Sequence, residues 1–112
     1  MISEQRFEEL VSQAIDLIPD DLFALIDNVV FLIEPQGEAT DILGLYDGIP
    51  LTERGDYGIG ELPDRIFIYR DPILAICETD DDIVHEVVTT VIHEVAHHFG
   101  IDDDRLHELG WG

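Results

Sequence analysis

The chain has 112 residues, 26 of them acidic and only five basic, for a formal charge of −21. Apolar residues make up 46%, enough for one folded domain spanning residues 1–112 and burying a single core. So acidic a surface repels nucleic acid and anionic membrane and excludes both as partners; it suits cations, basic peptides or plain solubility.

Phe7, Leu10, Val11, Ala14, Ile15 and Ile18 recur at helical spacing, predicting a helix from Ser3 to Ile18 with Ser3 as N-cap. Pro19 stops that run, and Pro19-Asp20-Asp21 opens a short helix through Ile26. Val29 to Ile33 is an unbroken β-rich run, the pattern of a buried strand. A second strand is read from Asp41 to Ile49, including the Asp47-Gly48 turn signal. Gly55 to Pro63, with three glycines, reads as a mobile loop. Asp64 to Arg70 is a third strand between Pro63 and Pro72, and Ile73 to Cys77 a helical turn. The acidic run Asp80-Asp81-Asp82 caps and opens a long helix to Phe99, matched to the positive end of the helix dipole. Gly100 follows as a left-handed C′ residue, and Asp104 to Leu109 forms a last short helix. The expected fold is α+β: a small three-stranded sheet packed on an N-terminal and a C-terminal helix.

The chemistry lies in the C-terminal helix, where His93-Glu94-Val95-Ala96-His97 spells HExxH. Histidines four apart fall about 40° apart around a helix, so both imidazoles can face one ion. Glu94, next to the first, is placed to act on metal-bound water without ligating the metal. Chance alone supplies HExxH on the order of one time in fifty in such a chain, and the fixed offsets of Gly100 and Asp103 lower that roughly a hundredfold. A solvated polar face would have the same periodicity; the motif together with the glycine turn favours a metal centre. Val84, Val88, Val91, Val95 and Phe99 cluster on the side away from His93 and His97, predicting that the valines pack the core and the histidines face a cleft.

The third ligand comes after the turn. Asp103 stands where the chain can double back, but it can equally cap the last helix; Asp102 and His107 are the competing candidates. His98 is about 140° from His93 and cannot share its ion, so it is expected on the core flank, hydrogen-bonded. His85 is read as a surface residue, and Cys77 as a small buried apolar one. The lone cysteine fits a reducing compartment, no apolar run is long enough to span a bilayer, and the start lacks a signal-peptide layout. The cytoplasm is the expected location.

From His93 through Asp103 and on through Arg105-Leu106-His107-Glu108-Leu109-Gly110-Trp111, the chain resembles the small bacterial zincin-like metallopeptidases, or minimal zincins. The similarity extends through Leu43-Gly44-Leu45-Tyr46, Pro50-Leu51-Thr52-Glu53-Arg54 and Leu62-Pro63-Asp64-Arg65-Ile66 into the first helix, covering nearly the whole chain. The resemblance implies a compact sheet-plus-active-helix core. It further implies zinc held by His93, His97 and Asp103, with Glu94 as general base. Metzincins share part of the motif but need a methionine turn beneath the metal; here the only methionine is Met1, which makes the chain a reduced relative. No propeptide is visible, so few substrates or low activity are expected.

The expected function is therefore a zinc-dependent peptidase. Three protein ligands leave a position for water, and Glu94 takes its proton as it attacks a scissile carbonyl. Tyr46, Tyr57, Tyr69 and Arg54 are candidate donors to the developing oxyanion. One of the two strands after Val29 is a candidate edge for pairing an extended peptide substrate. The competing reading is a metal-binding or partner-binding module with structural zinc and an idle Glu94. The same ligand types also accept iron, cobalt or nickel.

Overall fold

Ser3 opens the first helix as expected, its hydroxyl accepting the Arg6 N–H at 3.0 Å. Helix α1 runs Glu4–Asp16 and buries Phe7, Leu10, Val11 and Ala14, the residues its 3.6-residue period sets on one face. A computed structural model of the chain describes residues 2–26, 28–48 and 63–108, apart from the side chain of Asp103. Helix α2 is a single turn, Asp20–Phe23, with Pro19 as its N-cap residue rather than inside it.

Three strands form one mixed sheet in the order β1-β3-β2: β1 Val29–Glu34, β2 Gly44–Asp47 and β3 Asp64–Tyr69. β1 runs parallel to β3, with Val29 opposite Asp64 and Ile33 opposite Ile68. β2 runs antiparallel to β3, with Tyr46 opposite Ile66. The reading of β1 as a buried strand is corrected. It lies at the sheet edge, and its side chains alternate between half-buried and exposed because only one face is covered. β2 is shorter than expected because residues 39–42 form a turn, with the Ile42 N–H donating to the Ala39 carbonyl. The loop expected over Gly55–Pro63 lies, up to residue 62, outside the described residues.

The helical turn expected at Ile73–Cys77 belongs to a two-turn helix, α3, Arg70–Ile76. Helix α4 then spans Asp80–His98. Its N-cap is Thr79, not the aspartate run. The Thr79 hydroxyl accepts the Asp82 N–H at 3.0 Å while Asp82 accepts the N–H of Thr79 at 3.1 Å and of Glu78 at 3.0 Å, a reciprocal capping box. Helix α5, Asp103–Glu108, begins one residue earlier than predicted.

Helix α4 packs against α1, α3, β2 and β3 at once. That sandwich widens its buried arc beyond a valine stripe: Ile83, Val87, Thr90, Val91, Ile92, Val95 and Ala96 are buried, Val84 and Val88 only half so. Phe99, expected on the core face, is 42% exposed. Among the described residues the helices cover one sheet face. Across the other, Leu32 and Leu45 both stand opposite Phe67, an apolar row 36% exposed at Leu32 and 45% at Leu45.

The two amide bonds hold the Asp82 carboxyl below the usual aspartate range, so its contribution to the start of α4 is complete above about pH 3.9 and is lost as pH falls through the lowered folded-state value. Asp82→Ala is therefore expected to be less stable than the native chain toward urea at pH 7. The gap should close only below about pH 4.

Candidate metal centre and active site

Residues four apart on a helix advance about 6 Å, and residues two apart on a strand about 6.7 Å. Helix α4 and strand β2 use that near match. Thr90, Glu94 and His98 form one row on the helix; Gly44, Tyr46 and Gly48 form one row on and just after the strand. Opposite Gly44, a Cβ would come within 2.6 Å of the Thr90 methyl and 2.8 Å of the Phe67 carbonyl oxygen. Only glycine lets the helix seat this closely. One step on, the Tyr46 N–H donates to Glu94 Oε1 at 3.0 Å. At the third step His98 stacks on the Tyr46 ring, centroids 3.9 Å apart and planes 17° apart, and a Cβ on Gly48 would meet the His98 ring at 2.8 Å.

Tyr46 is fixed from the other side as well. Its hydroxyl donates to Asp64 Oδ2 at 2.7 Å within the buried interior, and Phe99 meets its ring edge-on at 6.1 Å. His98 is thus on the sheet side of α4, as the helical angle requires, but its ring is exposed and holds its place by stacking, not burial.

His93 and His97 lie on the adjoining strip of α4, one half-buried and one exposed. Their rings are 6.2 Å apart and within 21° of parallel, so the imidazoles are presented side by side. Glu94 points to the strand, not between them. Among the described residues no group of three His, Cys, Asp or Glu side chains gathers at one point.

The segment after the helix turns as expected. Gly100 takes φ +76°, with its N–H donating to the His97 carbonyl at 3.2 Å and the Ile101 N–H to Ala96 at 2.7 Å, the paired bonds of a Schellman motif. Asp102 then caps α5: its Oδ1 accepts the Arg105 N–H at 2.8 Å. Asp103 is the first residue of α5, and its side chain lies outside the described part of the structure. The cap role that competed for Asp103 is filled by its neighbour. His107 is exposed on α5, and His85 is exposed as read.

Of the four candidate oxyanion donors, Arg54 and Tyr57 lie outside the described residues. The Tyr46 hydroxyl is engaged by Asp64. Tyr69 shares a sheet face with Phe67, on which it stacks, opposite the Ile66 and Ile68 face that packs in the core; burial, reinforced by the charges of Glu38 and Glu34, raises its phenol above the ordinary range. Cys77 is half-buried beside a cavity of about 390 Å³ lined by Ile2, Leu74 and Ile83, at the far end of α4 from His93. Burial raises its thiol, and it is no ligand for the histidine pair. Sequence reasoning missed the main-chain partnership of Tyr46 with Glu94. The signal was present in the glycines two residues on either side of Tyr46 and the four-residue spacing of Thr90, Glu94 and His98.

A family model described as zincin-like metallopeptidase matches residues 26–111. Among solved structures, a conserved hypothetical protein from Thermus thermophilus is similar, with 24% identity, a TM-score of 0.56, and 88% of this chain and 94% of that chain covered. At that identity the likeness is one of fold. A comparison with curated proteins finds no match.

Because Asp102 caps α5, Asp102→Ala is expected to cost about 1 kcal/mol in urea unfolding. Its zinc content after reconstitution should equal that of the native chain.

Proposed function

The chain belongs to the zincin-like metallopeptidase family, and from that premise we propose that it is a zinc-dependent peptidase with Glu94 as general base. The observation that carries the proposal is the bond from the Tyr46 N–H to Glu94 Oε1, beside two imidazoles presented side by side. A carboxylate tied through one oxygen to the sheet is oriented for proton transfer and turned away from ligation.

The residues suit the metal. Two imidazoles from one helix face and a carboxylate just past the Gly100 turn are zinc donors in type and number for a catalytic site. His93, His97 and Asp103 would hold it, the third supported by the α5 cap being supplied by Asp102. When bound, zinc supplies Lewis acidity toward the scissile carbonyl and toward water.

The protein's own groups do the rest. With Oε1 occupied by the amide, Glu94 Oε2 has no other hydrogen bond among the described residues and receives the proton of the attacking water. The same oxygen returns it to the leaving amine. The sheet-bound amide keeps the carboxylate from swinging during both transfers, which is the geometric requirement of a two-step proton relay. β2 lies at the edge of the sheet, where an extended peptide can run beside the site.

Peptides or proteins are the proposed substrates and the cytoplasm the proposed location. No helix among the described residues is long and apolar enough to cross a membrane.

Two measurements test this. Native protein should bind about one zinc per chain, and His93→Ala, His97→Ala or Asp103→Ala should each lower the affinity at least about tenfold; full occupancy in the His93/His97 double variant would remove the site. Glu94→Gln should keep the zinc and lose cleavage of peptides selected from a library. Unchanged cleavage would refute the base, and a zinc-loaded native chain that cleaves nothing would leave a structural zinc module.

A further inference from the structure

We propose that Tyr46 is the positioning residue for Glu94, acting through its main-chain N–H while its side chain locks the strand in place. The inference rests on the reading of Glu94 as general base and adds what aims it. The amide that holds Glu94 belongs to the same residue whose hydroxyl is bound by buried Asp64 at 2.7 Å and whose ring is covered by His98 at 3.9 Å. These contacts come from three directions. Asp64 sits at the start of β3, where its N–H donates to the Asn28 carbonyl at 3.0 Å, so the hydroxyl bond ties Tyr46 to the centre of the sheet. His98 sits one helical turn beyond Glu94 on the same row, so the stack ties Tyr46 to the helix that carries the base.

The arrangement closes a loop of contacts: Glu94 to the Tyr46 amide, the Tyr46 ring to His98, and His98 back along α4 to Glu94. Sliding of α4 against β2 must break the stack and the amide bond together. A β2 edge held only by its pairing with β3 would leave the Glu94 carboxylate free to change rotamer. His98 therefore acts as a second positioning residue, through the face of its ring and not through ligation or charge.

The test has one arm that does not depend on activity. In the full-length, metal-free, ¹⁵N-labelled protein, amide exchange at Tyr46 should speed up about tenfold or more in Glu94→Ala. It should speed up about threefold in His98→Ala, and His98→Phe, which restores a stacking ring, should return it toward the native rate. The Ile66 amide, which is on the central strand but faces β1, should not change. In the second arm, the zinc-loaded protein acts on a library-selected peptide. There His98→Ala should lower kcat about tenfold with KM and zinc content unchanged, and His98→Phe should recover it. A Tyr46 amide indifferent to Glu94→Ala would overturn the proposal, as would His98→Ala with native exchange and native kcat. If no peptide is cleaved at all, the peptidase reading fails, and the exchange arm alone decides whether Tyr46 holds Glu94.

Discussion

The seating of helix α4 on strand β2 is the constraint from which the site follows. Over two steps the helix row Thr90, Glu94, His98 and the strand row Gly44, Tyr46, Gly48 drift apart by only about 1–1.5 Å, small enough for side chains to absorb. Within that match each pair makes a different kind of contact: van der Waals closeness at Thr90 and Gly44, an amide-to-carboxylate bond at Tyr46 and Glu94, ring stacking at His98. The paired histidines on the adjoining strip are aimed in turn, because fixing Glu94 and His98 fixes the rotation of the whole helix. One consequence is visible in Thr90, whose buried hydroxyl finds no partner among the described residues.

Charge contributes little to holding this arrangement. Arg6 joins α1 to the start of α4 through Asp80, and Arg70 joins α3 back to Glu4, but these pairs lie at the surface, and pairs of that kind are worth about 0–1 kcal/mol. Arg65 pairs with Asp47 across β2 and β3 and sits 5.5 Å over the Phe67 ring. The helix–sheet interface rests instead on Phe7, Leu10, Ile66, Ile68, Val87, Val91 and Val95, all at most 1% exposed.

Local signals in the sequence are legible wherever a single element decides its own geometry. Ser3 as a cap, Gly100 as a left-handed turn and the amphipathic α1 all depend on residues within one turn of each other. Legibility ends where a second element sets the outcome. Periodicity counts apolar residues and so predicts one buried face for the long helix, whereas α1 and the sheet bury it from two sides and leave Phe99 out. The apolar run of β1 reads as fully buried, though the strand is covered on one face only. At the site, HExxH locates the chemistry, while the partner of Glu94 is a backbone amide that no side chain marks, so only the glycines flanking Tyr46 and the four-residue row of Thr90, Glu94 and His98 point to it.

The exposed apolar residues Leu32 and Leu45, either side of Phe67, bear on the excess of carboxylates in a way unrelated to chemistry. An exposed apolar row is a place where a second copy could stack, and a net charge of −21 sets like-charge repulsion against it. That protection is colloidal, not structural. It reaches only about 8 Å at physiological ionic strength, shrinks in brine and vanishes as the carboxylates protonate. Repulsion of that kind depends on pH and salt as much as on the fold.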